Sequence, residues 1–187
     1  MGHRILIVDD EPRLLDGLKR TFRREPFEVL TANSAEEALK ILAAVPIDII
    51  ISDHHMPGML GTDLLYVVAR EFPNTIRYML TGKPSLEVAM QAINDGAISR
   101  FYTKPCHEID LLITIRHALQ QKDLMAEAMR LLERYKQQQA KLEKFRRDHP
   151  EAASLIDDAG STHELPVAEN LTYEELIEEL RKTFGDY

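Results

Sequence analysis

The chain holds one cysteine, Cys106, among its 187 residues. No intrachain disulfide can form, and a reducing compartment, the cytoplasm, is the natural home of such a chain. Also missing is any apolar run near the roughly 20 residues of a membrane-spanning helix. The opening MGHRILIVDD passes straight into a strand-like run, without the basic–apolar–small layout of a secretory signal. Leu6 stands where the N-myristoylation pattern needs a hydroxyl residue. Positive charge is the scarcer sign: 23 Lys and Arg against 31 Asp and Glu leave a formal net charge of −8. A chain of that balance is not built to coat nucleic acid, and no direct nucleic-acid contact is expected. No internal repeat is visible.

What is present is a regular alternation. Apolar residues make up 44% of the chain, enough for one real core. The runs RILIV (4–8), FEVLTA (27–32), IDIIIS (47–52), TIRYML (75–80) and SRFYT (99–103) read as strands. The third is apolar apart from Asp48 and Ser52, as a parallel strand buried on both faces should be. Between them lie amphipathic segments at 12–24, 34–45, 62–72 and 85–94, and a fifth begins near Glu108. Ser34 with Glu37 three residues on forms a capping box for the second. Five strands alternating with five helices predict an α/β, doubly wound parallel sheet covered on both faces.

The fifth helical pattern lacks glycine and proline and runs from about Glu108 to Arg147. From Leu124 its apolar stripe is Leu124, Ala128, Leu131, Tyr135, Gln138, Leu142 and Phe145. The steps alternate four and three, which is a heptad seam with one polar member. The seam continues past the end of any compact core, so self-association into a homodimer is expected. The alternative is a long helix folded back on its own domain. In a simple parallel pair Lys141 and Arg146 would face each other with like charge. The expected organisation is a domain over 1–122, an extension of the fifth helix over 123–148, a linker over 149–171 and a short helix over 172–187. Thr172 with Glu175 gives that last helix a capping box of its own. The region past Pro150 is too small to be an independent globular domain.

In an open parallel sheet, ligands bind beyond the carboxyl ends of the strands. The first strand ends in Asp9-Asp10, the third in Asp53, the fourth in Thr81, and the fifth in Lys104 followed by Pro105. Three carboxylates, a hydroxyl and an ammonium thus share one edge. Crowded carboxylates repel unless a cation sits among them, and oxygen-only ligands favour Mg²⁺. A lysine and a hydroxyl facing that point can neutralise a phosphoryl group, and an aspartate can be the nucleophile that receives it.

The motifs ILIVDD, DIIISDHHMPGMLG, MLTG and FYTKP, in that order, resemble the receiver domain of two-component response regulators over about residues 3–120. The resemblance implies a flavodoxin-like fold with sheet order 2-1-3-4-5. It implies Asp53 as phosphoacceptor, and Asp9, Asp10, Asp53 and the backbone carbonyl of His55 as Mg²⁺ ligands. It implies Thr81 and Phe101 as the switch pair, Lys104 as the cation on the phosphoryl oxygens, and a cis Lys104–Pro105 bond. It further implies a sensor histidine kinase or phosphotransfer protein as partner. Such a protein is a phosphoacceptor switch with self-catalysed phosphorylation and dephosphorylation, not an enzyme acting on other substrates.

The stretch ISDHHMPGM (51–59) also admits a DHH-type phosphoesterase reading. That chemistry needs further Asp and His motifs, and His3, His107, His117, His149 and His163 lack ligand-like spacing with His54 and His55. His54 is expected as an exposed loop side chain. His55, two residues after the acceptor, and Lys83, two after Thr81, are expected to frame the water that removes the phosphate. Asp48 is expected to open a strand rather than join the site, and Cys106 to pack near the fifth helix. No winged-helix or helix-turn-helix output unit is expected from the residues after the long helix. The expected function is therefore a response regulator that switches protein contacts. The alternatives are the regulatory portion of a larger signalling enzyme, such as a cyclic-di-GMP phosphodiesterase, and a phosphorelay intermediate.

Overall fold

The structure, a computed structural model, describes residues 2–82 and 97–148. The expected helix over 85–94, Lys83, the linker and the last helix lie outside the described residues. The chain divides into two compact units, residues 1–124 and 125–187.

The first unit is a five-stranded sheet of order β2-β1-β3-β4-β5. The strands are β1 (His3–Val8), β2 (Phe27–Ala32), β3 (Ile49–Asp53), β4 (Ile76–Thr81) and β5 (Arg100–Thr103). Every adjacent pair is parallel. The helices are α1 (Pro12–Thr21), α2 (Ala35–Ala44), α3 (Gly61–Glu71) and the long α4 (Glu108–Asp148), with a 3-10 turn at Phe22–Arg24 after α1. This is the flavodoxin-like, doubly wound arrangement expected.

Local chemistry sets the helix starts. Pro12 lies in the first turn of α1, where a missing N–H costs nothing, and Lys19 and Arg20 lie in its last turn, where the helix dipole favours cations. At α2 the Ser34 Oγ accepts from the Glu37 N–H at 3.2 Å. The Glu37 carboxylate reaches back to the Asn33 N–H at 2.8 Å, one residue earlier than the usual capping box.

Successive strand residues point to opposite faces, so the sheet carries two cores. Leu6, Val8, Ile50 and Met79 pack with Leu42, Leu64, Leu65 and Val68 of α2 and α3. Ile5, Ile7, Ile51 and Leu80 pack with Leu15, Leu18, Leu111 and Ile115 of α1 and α4. Neighbours in β5 serve different sides: Phe101 lies on the first core, Tyr102 on the second. Tyr102 is half-buried with its ring edge-on to Tyr78 at 5.8 Å. Cys106 also packs on the second core, to which α4 contributes Leu111 and Leu112.

An ionic cluster ties α4 to the base of the sheet, at the end away from the carboxyl termini of the strands. His3 Nδ1 lies 3.2 Å from Asp48 and its Nε2 3.1 Å from Asp123. Lys122 donates to Asp48 at 2.9 Å and to the Asn74 carbonyl at 2.8 Å. Asp48 also accepts from the Arg4 N–H at 2.9 Å, so it precedes β3 as a structural acceptor. A neutral imidazole donates from one nitrogen only, so this geometry suits the imidazolium. Burial pulls the His3 ring down, but the hydrogen bonds to Asp123 and Asp48 outweigh it and hold it above its ordinary value. Burial pushes Asp48 up, yet the bonds from Lys122 and the Arg4 N–H leave it below the usual carboxylate value.

The signs give a pH window. The His3 contribution is fully present below about pH 6.5 and is lost as pH rises through the raised folded value. The Asp48 contribution is present above its unfolded pKa of 3.8 and is lost as pH falls through the folded value. His3→Gln is therefore expected to flatten the stability profile between about pH 6 and 8. Urea midpoints across that range check it, and parallel profiles for wild type and variant would contradict it.

Candidate phosphoacceptor site

The fold brings Asp9, Asp10, Asp53, Thr81 and Lys104 to one edge because each stands at the carboxyl end of its strand. β1 and β3 are adjacent, and the Val8–Ser52 pair places Asp9 beside Asp53. Asp9 and Asp53 are buried and Asp10 is exposed. Carboxylate oxygens of the three lie within 4.8 Å of one another. Lys104 Nζ reaches between two of them, 2.5 Å from Asp9 Oδ2 and 2.9 Å from Asp53 Oδ1. The other Asp9 oxygen accepts from the Glu11 N–H at 2.9 Å. Thr81 is buried at the end of β4, and its carbonyl accepts from the Lys104 N–H at 2.8 Å. The Lys104–Pro105 peptide is cis.

One ammonium among three carboxylates leaves an anionic pocket. Burial pushes the Asp9 carboxyl up, against hydrogen bonds from Lys104 and the Glu11 N–H. Burial also pulls Lys104 down, but its bonds to Asp9 and Asp53 win and it stays above its ordinary value. The lysine keeps its proton. Oxygen-only donors this close fit a hard divalent ion such as Mg²⁺.

The loop after β3 is held on both sides. The His54 N–H donates to Leu80 O at 2.8 Å, and the Gly61 N–H donates to His54 O at 2.9 Å. The Asp53 Oδ2 accepts from the His55 N–H at 3.1 Å, and its backbone carbonyl accepts from Ser52 Oγ at 2.9 Å. Gly58 turns the loop with φ +85°, a conformation costly for other residues. Met56 is buried and plugs the loop into the first core.

Gly61 is the position sequence reasoning missed. A Cβ there would stand 1.9 Å from the Asp53 carbonyl oxygen and 2.8 Å from its carbonyl carbon. Backbone, not a flexible side chain, is the obstacle, so α3 can start this close to Asp53 only at glycine. Gly61→Ala is expected to destabilise the domain by about 1–3 kcal/mol, the usual cost of overpacking, and to displace Asp53. Chemical denaturation checks the first effect. An unchanged midpoint would show that α3 shifts without resistance.

His55 is exposed beside Asp53, and Lys83 lies outside the described residues. His54 departs from expectation. It is half-buried rather than an exposed loop side chain, because its backbone is stitched to Leu80 and Gly61. Its Nδ1 is buried and finds no hydrogen-bond partner among the described residues. Burial and the neighbouring His55 push it below its ordinary value. The two imidazoles meet edge-on at 4.3 Å. Among the described residues the metal-ligand grouping is Asp9, Asp10 and Asp53, without a histidine side chain. Phe101 is half-buried two pairs below the strand end, opposite Met79. Burial raises the Cys106 thiol, which disfavours its thiolate.

A doubly wound parallel sheet that gathers carboxylates, a lysine and a threonine at one edge has the architecture of a signal receiver domain. The chain belongs to the response regulator receiver domain family, whose pattern matches residues 5–116. Among curated proteins it is 35% identical over 127 residues to the hydrogenase transcriptional regulatory protein HoxA of Cupriavidus necator, covering 68% of this chain and 26% of that one. It is 37% identical over 100 residues to the response regulator protein PilR of Pseudomonas aeruginosa, covering 54% and 22%. The chain thus spans about a quarter of the length of these relatives. Among solved structures it is similar to the signal receiver domain of an HD domain-containing protein from Pseudomonas fluorescens, with TM-score 0.63, 35% identity, and coverage of 67% and 93%. It is also similar to a structure titled adenylate cyclase from Rhodopirellula baltica, with TM-score 0.65, 40% identity, and coverage of 71% and 98%. No helix among the described residues is long and apolar enough to cross a membrane.

Proposed function

We propose that Asp53 is the phosphoacceptor of this receiver domain, that Asp9 and Asp10 hold Mg²⁺ with it and with the His55 carbonyl, and that the chain works in the cytoplasm by switching protein contacts. The observation that carries the reading is Lys104, whose ammonium bridges Asp9 and Asp53 at the strand edge. An Asp53 carboxylate oxygen forms the new O–P bond as the donor's P–N or P–O bond breaks, and the leaving group takes the electron pair. Lys104 and the Thr81 hydroxyl then face the phosphoryl oxygens. The bound metal would neutralise charge on the same oxygens. A histidine kinase or phosphotransfer protein supplies the phosphoryl group. Incubation with a small acyl phosphate and Mg²⁺, read by intact mass and peptide mapping, tests this. Label elsewhere than Asp53, or label undiminished by a chelator, would overturn it.

Thr81 and Phe101 form the switch, and His55, with Lys83, sets the lifetime of the signal. The phosphate shifts the equilibrium only through contacts that differ between the states. Pulled toward the phosphoryl group, Thr81 leaves space for Phe101, whose ring buries no polar atom. Resting and beryllofluoride-loaded crystals are expected to differ in the Phe101 rotamer, and acyl-phosphate decay is expected to change severalfold in His55→Asn. An identical rotamer, or identical decay, would remove the corresponding role.

The exposed seam of α4 supports a homodimer. A second reading, in which the chain is the regulatory part of a larger signalling enzyme, is favoured by its similarity to the receiver domain of an HD domain-containing protein and to a structure described as adenylate cyclase. A phosphorelay intermediate is a third. The length of the natural gene separates the enzyme reading, and phosphoryl transfer from Asp53 to phosphotransfer proteins separates the relay.

A further inference from the structure

The outer part of α4 carries large apolar side chains in the open: Leu124 is 62% exposed, Leu131 55% and Tyr135 44%. They lie on the heptad seam, with Ala128, Tyr135 and Leu142 at one core position and Leu124, Leu131, Gln138 and Phe145 at the other. The flanking positions hold Glu127, Arg134, Lys141 and Asp148 on one side, the left flank, and Met125, Leu132, Gln139 and Arg146 on the other, the right flank. Which flanks meet depends on the direction of pairing.

In a parallel pair, each left flank meets the right flank five residues on. That sets Glu127 against Leu132, Arg134 against Gln139, and Lys141 against Arg146. The symmetric dimer would then hold two like-charge contacts and no attractive one. Its core layers would also be self-paired. Ala128 would face the partner's Ala128 and leave a void, and Tyr135 would face the partner's Tyr135 and overfill the next layer. An antiparallel pair centred on residue 133 reverses both faults. Left flanks meet left flanks, so Glu127 meets the partner's Lys141 twice over, against one central Arg134 contact with the partner's Arg134. The layers become Leu124 with the partner's Leu142, Ala128 with the partner's Gln138, and Leu131 with the partner's Tyr135. Small now meets long, which fills the seam more evenly.

Two details support this. Tyr135 already accepts at its hydroxyl from Gln139 Nε2 of its own helix at 2.8 Å. Its ring can therefore be covered without orphaning the oxygen. Glu127 is held only loosely by Arg130, at 3.7 Å, and can turn to a partner. Neighbouring registers are worse. One heptad outward, Arg134 meets the partner's Lys141 and Glu127 meets the partner's Asp148. One heptad inward, Leu142 loses its opposing layer.

We propose that the α4 segments of two copies pair antiparallel, centred on Glu133, with Glu127 facing the partner's Lys141. The proposal rests on the homodimer reading above. The test uses the full chain in a Cys106→Ser background. One mixture combines the Glu127→Cys and Lys141→Cys chains, the other the Lys141→Cys and Arg146→Cys chains. Each is treated with a short bismaleimide and mapped by mass spectrometry, with light scattering on the untreated protein. A cross-link between positions 127 and 141, severalfold stronger than any between 141 and 146, is the expected result. A dimeric mass with any other pattern overturns the antiparallel arrangement and leaves the dimer standing. A monomeric mass overturns the dimer itself.

Discussion

Asp53→Asn is expected to abolish phosphorylation, lowering the rate of adduct formation by about a thousandfold or more. Asparagine matches aspartate in size and can still accept from the His55 N–H, so the loop after β3 should stay in place. What is lost is the nucleophilic carboxylate. The variant also removes one of the three charges that would gather a cation at the edge. Lys104→Ala should act on the same reaction by a different route. It leaves the nucleophile intact but takes away the ammonium set between Asp9 and Asp53, at a cost of roughly 10²–10³ in rate, typical of a preorganised electrostatic contact. Intact mass after timed incubation with an acyl phosphate reads both, and circular dichroism confirms that each variant folds. A wild-type rate in Asp53→Asn would move the acceptor elsewhere.

Leu131→Asp is expected to dissociate the protein to monomers. A leucine buried in a coiled-coil seam contributes about 1.5–3 kcal/mol before ordering costs. A dimer loses two, so the dissociation constant should rise by roughly 10²–10⁴. The side chain is exposed in the chain itself, so the substitution spares the sheet and its two cores. Light scattering at micromolar concentration separates the outcomes. A wild-type protein that is already monomeric, or a variant that dimerises as well as wild type, would contradict the seam.

The fold was legible because its central strands are buried on both faces. IIISD in β3 and ILIV in β1 have no solvent side to advertise, so apolar runs spaced by amphipathic helices had one economical arrangement. Asp9, Asp53, Thr81 and Lys104 were legible for a related reason: strand ends can be read from where the apolar runs stop. The rest depended on contacts between distant positions. Nothing in the local sequence around His3 announces Asp48 or Asp123, which lies 120 residues away. Gly61 looked like the end of a loop, because its necessity lies in the Asp53 carbonyl and not in its own neighbours. His54 looked exposed beside polar and small residues, and only its bonds to Leu80 and Gly61 turn it inward.

β5 is the outer strand on its side of the sheet and is only four residues long. It begins at Arg100 and gives way to Lys104 and then to Pro105, which has no N–H to offer. A foreign strand seeking to extend the sheet would find a short ladder opened by an exposed arginine and closed by a proline, features that discourage amyloid-like stacking. Phe101 sits in the middle of that strand. The segment whose side chain is proposed to move during signalling is therefore also poorly suited to recruiting another sheet, so motion there carries little risk of polymerisation.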